Sequence, residues 1–206
     1  MVFRKIERER VFIVSIRKDI DTGLFEFPKP FPLKRRSKDM LEDEVDEKFY
    51  LSEKMTNYLF TITEKNKARG NGNVYKASDP DGIAKTITTR EGARVKDNFI
   101  EMLIVNEATK KGYAEAFEGD SVNLEHPNSK TRRGREIKIV SENMRIRKLT
   151  PKECWRLMGF SDEDFERAEK VNSNSQLYKQ AGNSIVVDVL EELFCMMLDE
   201  DGKIFV

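Results

Sequence analysis

The sequence predicts an α+β fold, and three observations carry that prediction. Short apolar or β-branched runs at residues 11–16, 83–89 and 99–105 are separated by turn residues and not by helical repeats. The C-terminal third instead carries strong helix signals, opening on Thr150-Pro151-Lys152-Glu153. The composition, 36% charged and 38% hydrophobic over 206 residues, leaves thin core-forming material. That is enough for one ordinary domain, or for a small domain with an appended half-domain.

Taken in order, Val11-Phe12-Ile13-Val14-Ser15-Ile16 predicts a buried strand, followed by a turn over residues 19–23. Residues 25–32 hold Pro28, Pro30 and Pro32, which fix extended geometry and predict a crossing linker. Short helices are expected over residues 37–41 and 52–59, the second capped by Ser52. Gly70, Gly72, Gly82 and Gly92 are spaced as turns around the β-prone residues 83–89, so residues 66–97 read as a small irregular β unit. Phe99 to Val105 is a further strand, and the polar, basic residues 123–135 read as a loop.

Thr150-Pro151-Lys152-Glu153 forms a capping box with proline at the first helical position. The helix it opens places Cys154, Leu157 and Met158 on one face and stops at Gly159. Ser161 opens a second short helix to about Lys170. From Ile185 to Leu198 only Asp188, Glu191 and Glu192 interrupt an apolar surface, which predicts one long, largely buried helix. Glu153 and Arg156 lie three apart on one helical face, where they can pair.

Composition restricts the function classes. No apolar run approaches the roughly 20 residues of a membrane span. The charged opening residues do not resemble a signal peptide. Cys154 and Cys195 lie far apart, which suggests a reducing compartment and no disulfide framework. With His126 the only histidine, no zinc set is apparent. A cytoplasmic protein without a bound metal is the expectation. Lys and Arg total 37 and match 37 Asp and Glu, so net charge gives no drive for indiscriminate nucleic-acid binding. Basic clusters at residues 34–36, 65–69 and 130–135 leave room for phosphate contacts, or form solvated faces.

Ala181-Gly182-Asn183-Ser184 combines a residue that permits close backbone approach with two short polar side chains. Placed at a helix N-terminus, these suit an anionic or polar ligand, or simply cap the long helix. Gln176-Leu177-Tyr178-Lys179-Gln180-Ala181-Gly182-Asn183-Ser184-Ile185-Val186-Val187 resembles the tenth motif of the DNA cytosine-5 methyltransferases, and residues 147–160 resemble the ninth. Arg8-Glu9-Arg10 is similar to the Arg-x-Arg strand of the eighth motif, although Ile6 stands where that family usually has glutamine.

The resemblance implies that Asn183, Ser184 and the backbone near Val186 contact S-adenosylmethionine. It implies that Arg8 and Arg10 hold the target base and its phosphates, and that Glu153, Arg156 and Gly182 are structural. Residues 82–89 are similar to a pattern common in the family's recognition domains. Thr86 and Thr88 then suit phosphate positioning, Arg90 and Arg94 base edges, and Lys130, Arg132 and Arg133 a second DNA-facing loop. The implied organisation is the end of a catalytic domain over 1–30, a target recognition domain over 31–145, and helices returning to the catalytic domain over 146–206. The strand and C-terminal helices would then belong to an incomplete α/β methyltransferase domain.

Transfer of a methyl group to cytosine C5 needs a nucleophile at C6, which the family supplies from a Pro-Cys pair. No Pro-Cys pair and no Phe-x-Gly-x-Gly cofactor loop occur in the sequence. Cys154, within Glu153-Cys154-Trp155-Arg156, occupies the usual place of a cysteine in the ninth-motif helix, and Cys195 is expected in the core. The chain alone is therefore expected to be inactive. Three readings follow: one part of a DNA methyltransferase acting on double-stranded DNA with a separate catalytic chain, an inactive remnant of an interrupted gene, or a stand-alone DNA-binding module. The apolar C-terminal helix would meet the catalytic chain or drive self-association. The first reading connects the chain to DNA methylation of the restriction–modification kind.

Overall fold

Hydrogen-bonding capacity, more than hydrophobic pattern, decides which segments become regular elements. The structure, a computed structural model, describes residues 6–7, 11–29, 35–106, 113–116, 121–123, 136–138 and 144–198. In chain order these give β1 (Ile6–Glu7), two single 3-10 turns (Ser37–Met40 and Glu47–Phe49), α1 (Glu53–Ala68), β2 (Ala84–Lys85) and β3 (Phe99–Asn106). There follow β4 (Tyr113–Ala116), β5 (Ser121–Asn123), β6 (Glu136–Lys138), β7 (Met144–Lys148), α2 (Pro151–Leu157), α3 (Asp162–Glu169), α4 (Asn174–Asn183) and α5 (Val187–Cys195). The fold is α+β.

Strand β3 is central in a three-stranded antiparallel sheet of order β4-β3-β7, with Ile100 opposite Arg147 and Leu103 opposite both Ala116 and Met144. Strands β5 and β6 form a separate antiparallel pair, and β1 pairs in parallel with β2. The core lies where Ile100 and Met102 of β3 meet Leu149, Cys154, Leu157 and Met158 around α2 and Leu177, Tyr178 and Ala181 of α4. Ala84 and Ile87 enter the same core, which ties the glycine-rich segment to the C-terminal helices.

The helix starts follow the sequence closely. Ser52, Ser161 and Ser173 each accept a bond from a backbone N–H three residues on, and Thr150 with Glu153 completes a reciprocal capping box. Helix α1 runs nine residues beyond the predicted end at Leu59, to Ala68. Its later turns bury Thr63 and Asn66, whose side chains bond Tyr75 N (3.0 Å) and Asn73 O (2.6 Å). Polar anchoring of that kind leaves no apolar stripe to read.

Three expectations need correction. Residues 11–16 form no strand: Val11 and Ile13 are 87% and 86% exposed, and no described residue pairs with them. A β-branched run becomes a strand only where a neighbouring backbone completes its hydrogen bonds. The predicted long helix from Ile185 is the shorter α5, and it is not largely buried. Leu193 is its one buried residue, while Ile185, Phe194, Met196 and Leu198 are exposed around it. Cys195, expected in the core, is exposed. Residues 66–97 do form an irregular unit, but its only strand is the two-residue β2.

Candidate recognition and cofactor-facing site

The site is built outward from α2. Glu153 is completely buried and faces a completely buried partner, Arg147 of β7, in a bidentate pair at 2.7 and 2.8 Å. The same carboxylate accepts from Thr150 N at 2.8 Å and from Glu42 N at 3.0 Å. Four donors therefore converge on one carboxylate. The predicted Glu153–Arg156 pair does not form. Arg156 turns away to Asp162, at 2.6 and 2.7 Å, and its Nη1 reaches the Met40 and Leu41 carbonyls. That guanidinium holds the Asp162 carboxyl down at about 2.

Helix α2 and the Leu149 backbone just before it hold α4 by two further bonds. Trp155 Nε1 donates to the Leu177 carbonyl at 3.0 Å, and Tyr178 donates its hydroxyl to the Leu149 carbonyl at 2.5 Å. Burial raises the Tyr178 hydroxyl well above its ordinary range, so it stays a donor. So fixed, the end of α4 presents Gly182 to the predicted recognition segment. A Cβ on Gly182 would fall 2.4 Å from Thr89 N and 2.7 Å from Thr88 O, so the two backbones touch. Only glycine permits this approach.

Residues 85–98 have their own internal frame. Buried Glu91 accepts from Thr88 N at 2.9 Å, from Asn98 N at 2.7 Å and from Asn98 Nδ2 at 2.9 Å. Asn98 in turn exchanges bonds with the Lys85 backbone, accepting at 2.8 Å and donating at 3.1 Å. Asp97 accepts from Ala93 N and Arg94 N. Burial raises the carboxyls of both Glu91 and Asp97, against the pull of these amides. Gly92 takes a φ of +80° beside Lys148. Sequence reasoning passed over Glu91, Asp97 and Asn98. The visible signal was an acidic and an amide residue flanking a glycine turn.

The predicted residues divide accordingly. Thr86, Thr88 and Arg94 line one groove, while Arg90 is exposed outside it. Asn183 is exposed, Ser184 half-buried and Val186 buried. The expected helix N-terminus is not where these polar groups lie: Asn183 ends α4, and Ser184 is its C-cap, donating its hydroxyl to the Ala181 carbonyl at 2.8 Å. Arg8, Arg10, Lys130, Arg132 and Arg133 lie outside the described residues. Cys154 is no nucleophile, since complete burial and the nearby Glu91 and Glu153 carboxylates push its thiol far up. Among the described residues no cluster of His, Cys, Asp or Glu could hold a metal ion, and no helix is long and apolar enough to cross a membrane.

The family profile of the C-5 cytosine-specific DNA methylases matches residues 6–198. The chain belongs to that family. Among similar members, the orphan methyltransferase M.SPBetaI of Bacillus phage SPbeta is 32% identical, the match covering 91% of this chain and 54% of that protein. The type II methyltransferase M2.ScrFI of Lactococcus lactis subsp. cremoris is 33% identical over 91% of this chain and 39% of its own length. The chain thus spans about half, or less, of the cytosine methylases it matches. Among solved structures it is similar to the Dnmt2 methyltransferase of S. pombe, with a TM-score of 0.46 and 18% identity, covering 88% of this chain and 47% of the other.

Proposed function

We propose that this chain is the C-terminal portion of a DNA cytosine-5 methyltransferase, contributing target recognition and one wall of the S-adenosylmethionine site. The observation that carries this reading is the contact of Gly182 with the Thr88–Thr89 backbone. It joins the segment resembling the tenth motif to the segment resembling a recognition loop. A displacement at one is felt at the other, as coupling of cofactor closure to DNA engagement requires.

The residues present suit the cofactor as an edge of donors. Among the described residues, the N–H groups of Ile185 and Val186 and the exposed Asn183 amide make no hydrogen bond. Such donors match the carboxylate and ribose hydroxyls of S-adenosylmethionine. When bound, that molecule supplies the methyl group. Asn183 and Val186 would hold it, while Ser184, bonded back to Ala181, fixes the turn. The nucleophilic thiolate belongs to a separate catalytic portion, since Cys154 is sealed in the core and the exposed Cys195 follows Phe194 and not a proline. A separate chain carrying that portion would close over α5, and double-stranded DNA is the substrate.

The test is methyl transfer from S-adenosylmethionine to duplex DNA by the chain alone and with the product of the adjacent upstream reading frame. Transfer only in the mixture is expected. Transfer by the chain alone would overturn the placement of the nucleophile elsewhere, and none in either sample would remove the two-part enzyme.

A further inference from the structure

Between α1 and residues 72–97 runs an open groove of about 1150 Å³. Four of its lining residues are cationic, Lys76, Lys85, Arg94 and Lys96, against one acid, Asp97, in a chain whose net charge is zero. The acid is turned onto its own loop, accepting from Ala93 N at 3.0 Å and Arg94 N at 2.8 Å. Lys85 is committed too, donating to the Lys76 carbonyl at 2.6 Å and the Asp97 carbonyl at 3.4 Å. That leaves Lys76 and Lys96, both exposed and in no ion pair among the described residues, beside the exposed Arg94, whose charge also acts on Asp97. The α1 wall adds Tyr58, 58% exposed, and the half-buried Ile62. An excess of cations facing an aromatic wall forms a surface for a polyanion with apolar faces.

We infer that this groove seats the sugar–phosphate backbone of one strand of duplex DNA, with Lys76 and Lys96 as phosphate contacts beside Arg94 and with Tyr58 against sugar faces. The inference rests on the reading of the chain as a DNA methyltransferase portion. It adds a backbone track formed by α1, a helix no sequence motif marked. Phosphate contacts of this kind position the recognition segment and carry no base preference.

The experiment measures binding of the full chain to a short mixed-sequence duplex and to its single strand, by fluorescence anisotropy over roughly 50 to 200 mM salt. Each phosphate contact contributes about 0.9 to the slope of log affinity against log salt. The variant K76A/K96A is expected to lower that slope by about 2 and to weaken duplex binding at low salt by about tenfold. Tyr58→Ala is expected to weaken binding with an unchanged slope, and Lys170→Ala, away from the groove, to change neither. Circular dichroism checks that each variant keeps its fold. A wild-type slope in K76A/K96A overturns the groove assignment while leaving the methyltransferase reading intact, because the two-part methylation assay tests that reading separately. Preference for the single strand, lost in K76A/K96A, overturns the duplex assignment. No DNA binding by the wild-type chain at low salt overturns the groove and the recognition role together.

Discussion

Gly182 and Thr89 meet backbone to backbone: a Cβ at position 182 would stand 2.4 Å from the Thr89 nitrogen and 2.5 Å from the Thr88 carbonyl carbon. Neither side can yield easily. Helix α4 is bolted to α2 through Trp155 and to the Leu149 carbonyl through Tyr178, and the Thr88–Thr89 segment is pinned by buried Ile87 and by the Glu91 bond to Thr88 N. Gly182→Ala is therefore expected to destabilise the protein by about 1–3 kcal/mol, read from urea midpoints. It should also hasten tryptic cleavage at exposed Arg90. Gly72→Ala, where a Cβ meets nothing within 4 Å, is the control expected to be neutral.

Arg147 and Glu153 form a pair that no solvent reaches, so removal of one partner strands the other. Glu153→Gln is expected to cost about 3–5 kcal/mol in denaturant unfolding. Replacing both residues with apolar ones, R147M/E153L, restores charge balance but still leaves the Thr150 and Glu42 amides without their acceptor. Each stranded amide costs about 1–3 kcal/mol, so the double variant should recover only part of the loss. Full recovery would show that the stranded amides cost nothing and that the loss in Glu153→Gln lay wholly in the unpaired Arg147 charge.

What was legible in the sequence was local. The Thr150–Glu153 box and the Ser52 and Ser161 caps are decided within four residues, so spacing alone exposes them. The Glu153 partner was not legible, because Arg147 reaches it across the β7–α2 corner and competes with Arg156, which is nearer along the helix. Gly182 reads as a residue that permits close backbone approach, but what approaches it was not legible. It stays inside α4 because the Thr89 backbone, over ninety residues earlier, needs the room. The run at 11–16 shows the reverse failure, an apolar pattern with no paired neighbour among the described residues. Of the site, the grouping of Thr86, Thr88 and Arg94 was anticipated, whereas the Glu91–Asn98 frame that sets their positions was not.

Asp162 gives a pH dependence with a definite sign. Its carboxyl lies at about 2 in the fold, against 3.8 when unperturbed, chiefly through Arg156. A depressed folded value means the stabilisation is present above about pH 4 and is lost as pH falls towards 2. The stability difference between wild type and Asp162→Asn, from urea midpoints, should be constant from pH 7 to near 4 and shrink below that. The pair is partly exposed, so the difference should be small and should fall further in high salt. A difference that instead grows on acidification would contradict the assignment of Arg156 as its cause.

The two thiols should react in opposite ways. Cys195 is exposed on α5, whereas Cys154 is wholly buried, with its thiol held protonated by burial and by the carboxylates of Glu91 and Glu153. Because the thiolate is the reactive form, a thiol reagent at pH 8 should label Cys195 rapidly and reach Cys154 only when the core opens. The Cys154 rate should then follow global unfolding and rise in Gly182→Ala and Glu153→Gln in proportion to their lost stability. In the two-part enzyme, Cys154→Ala should retain methyl transfer while lowering the urea midpoint, since a buried sulfur removed from a packed core leaves a cavity. Protection of Cys195 upon adding the catalytic portion would in turn mark α5 as the covered face. Fast labelling of Cys154 in the folded chain, or abolition of methyl transfer by Cys154→Ala at full stability, would make that thiol functional and overturn its assignment to the core.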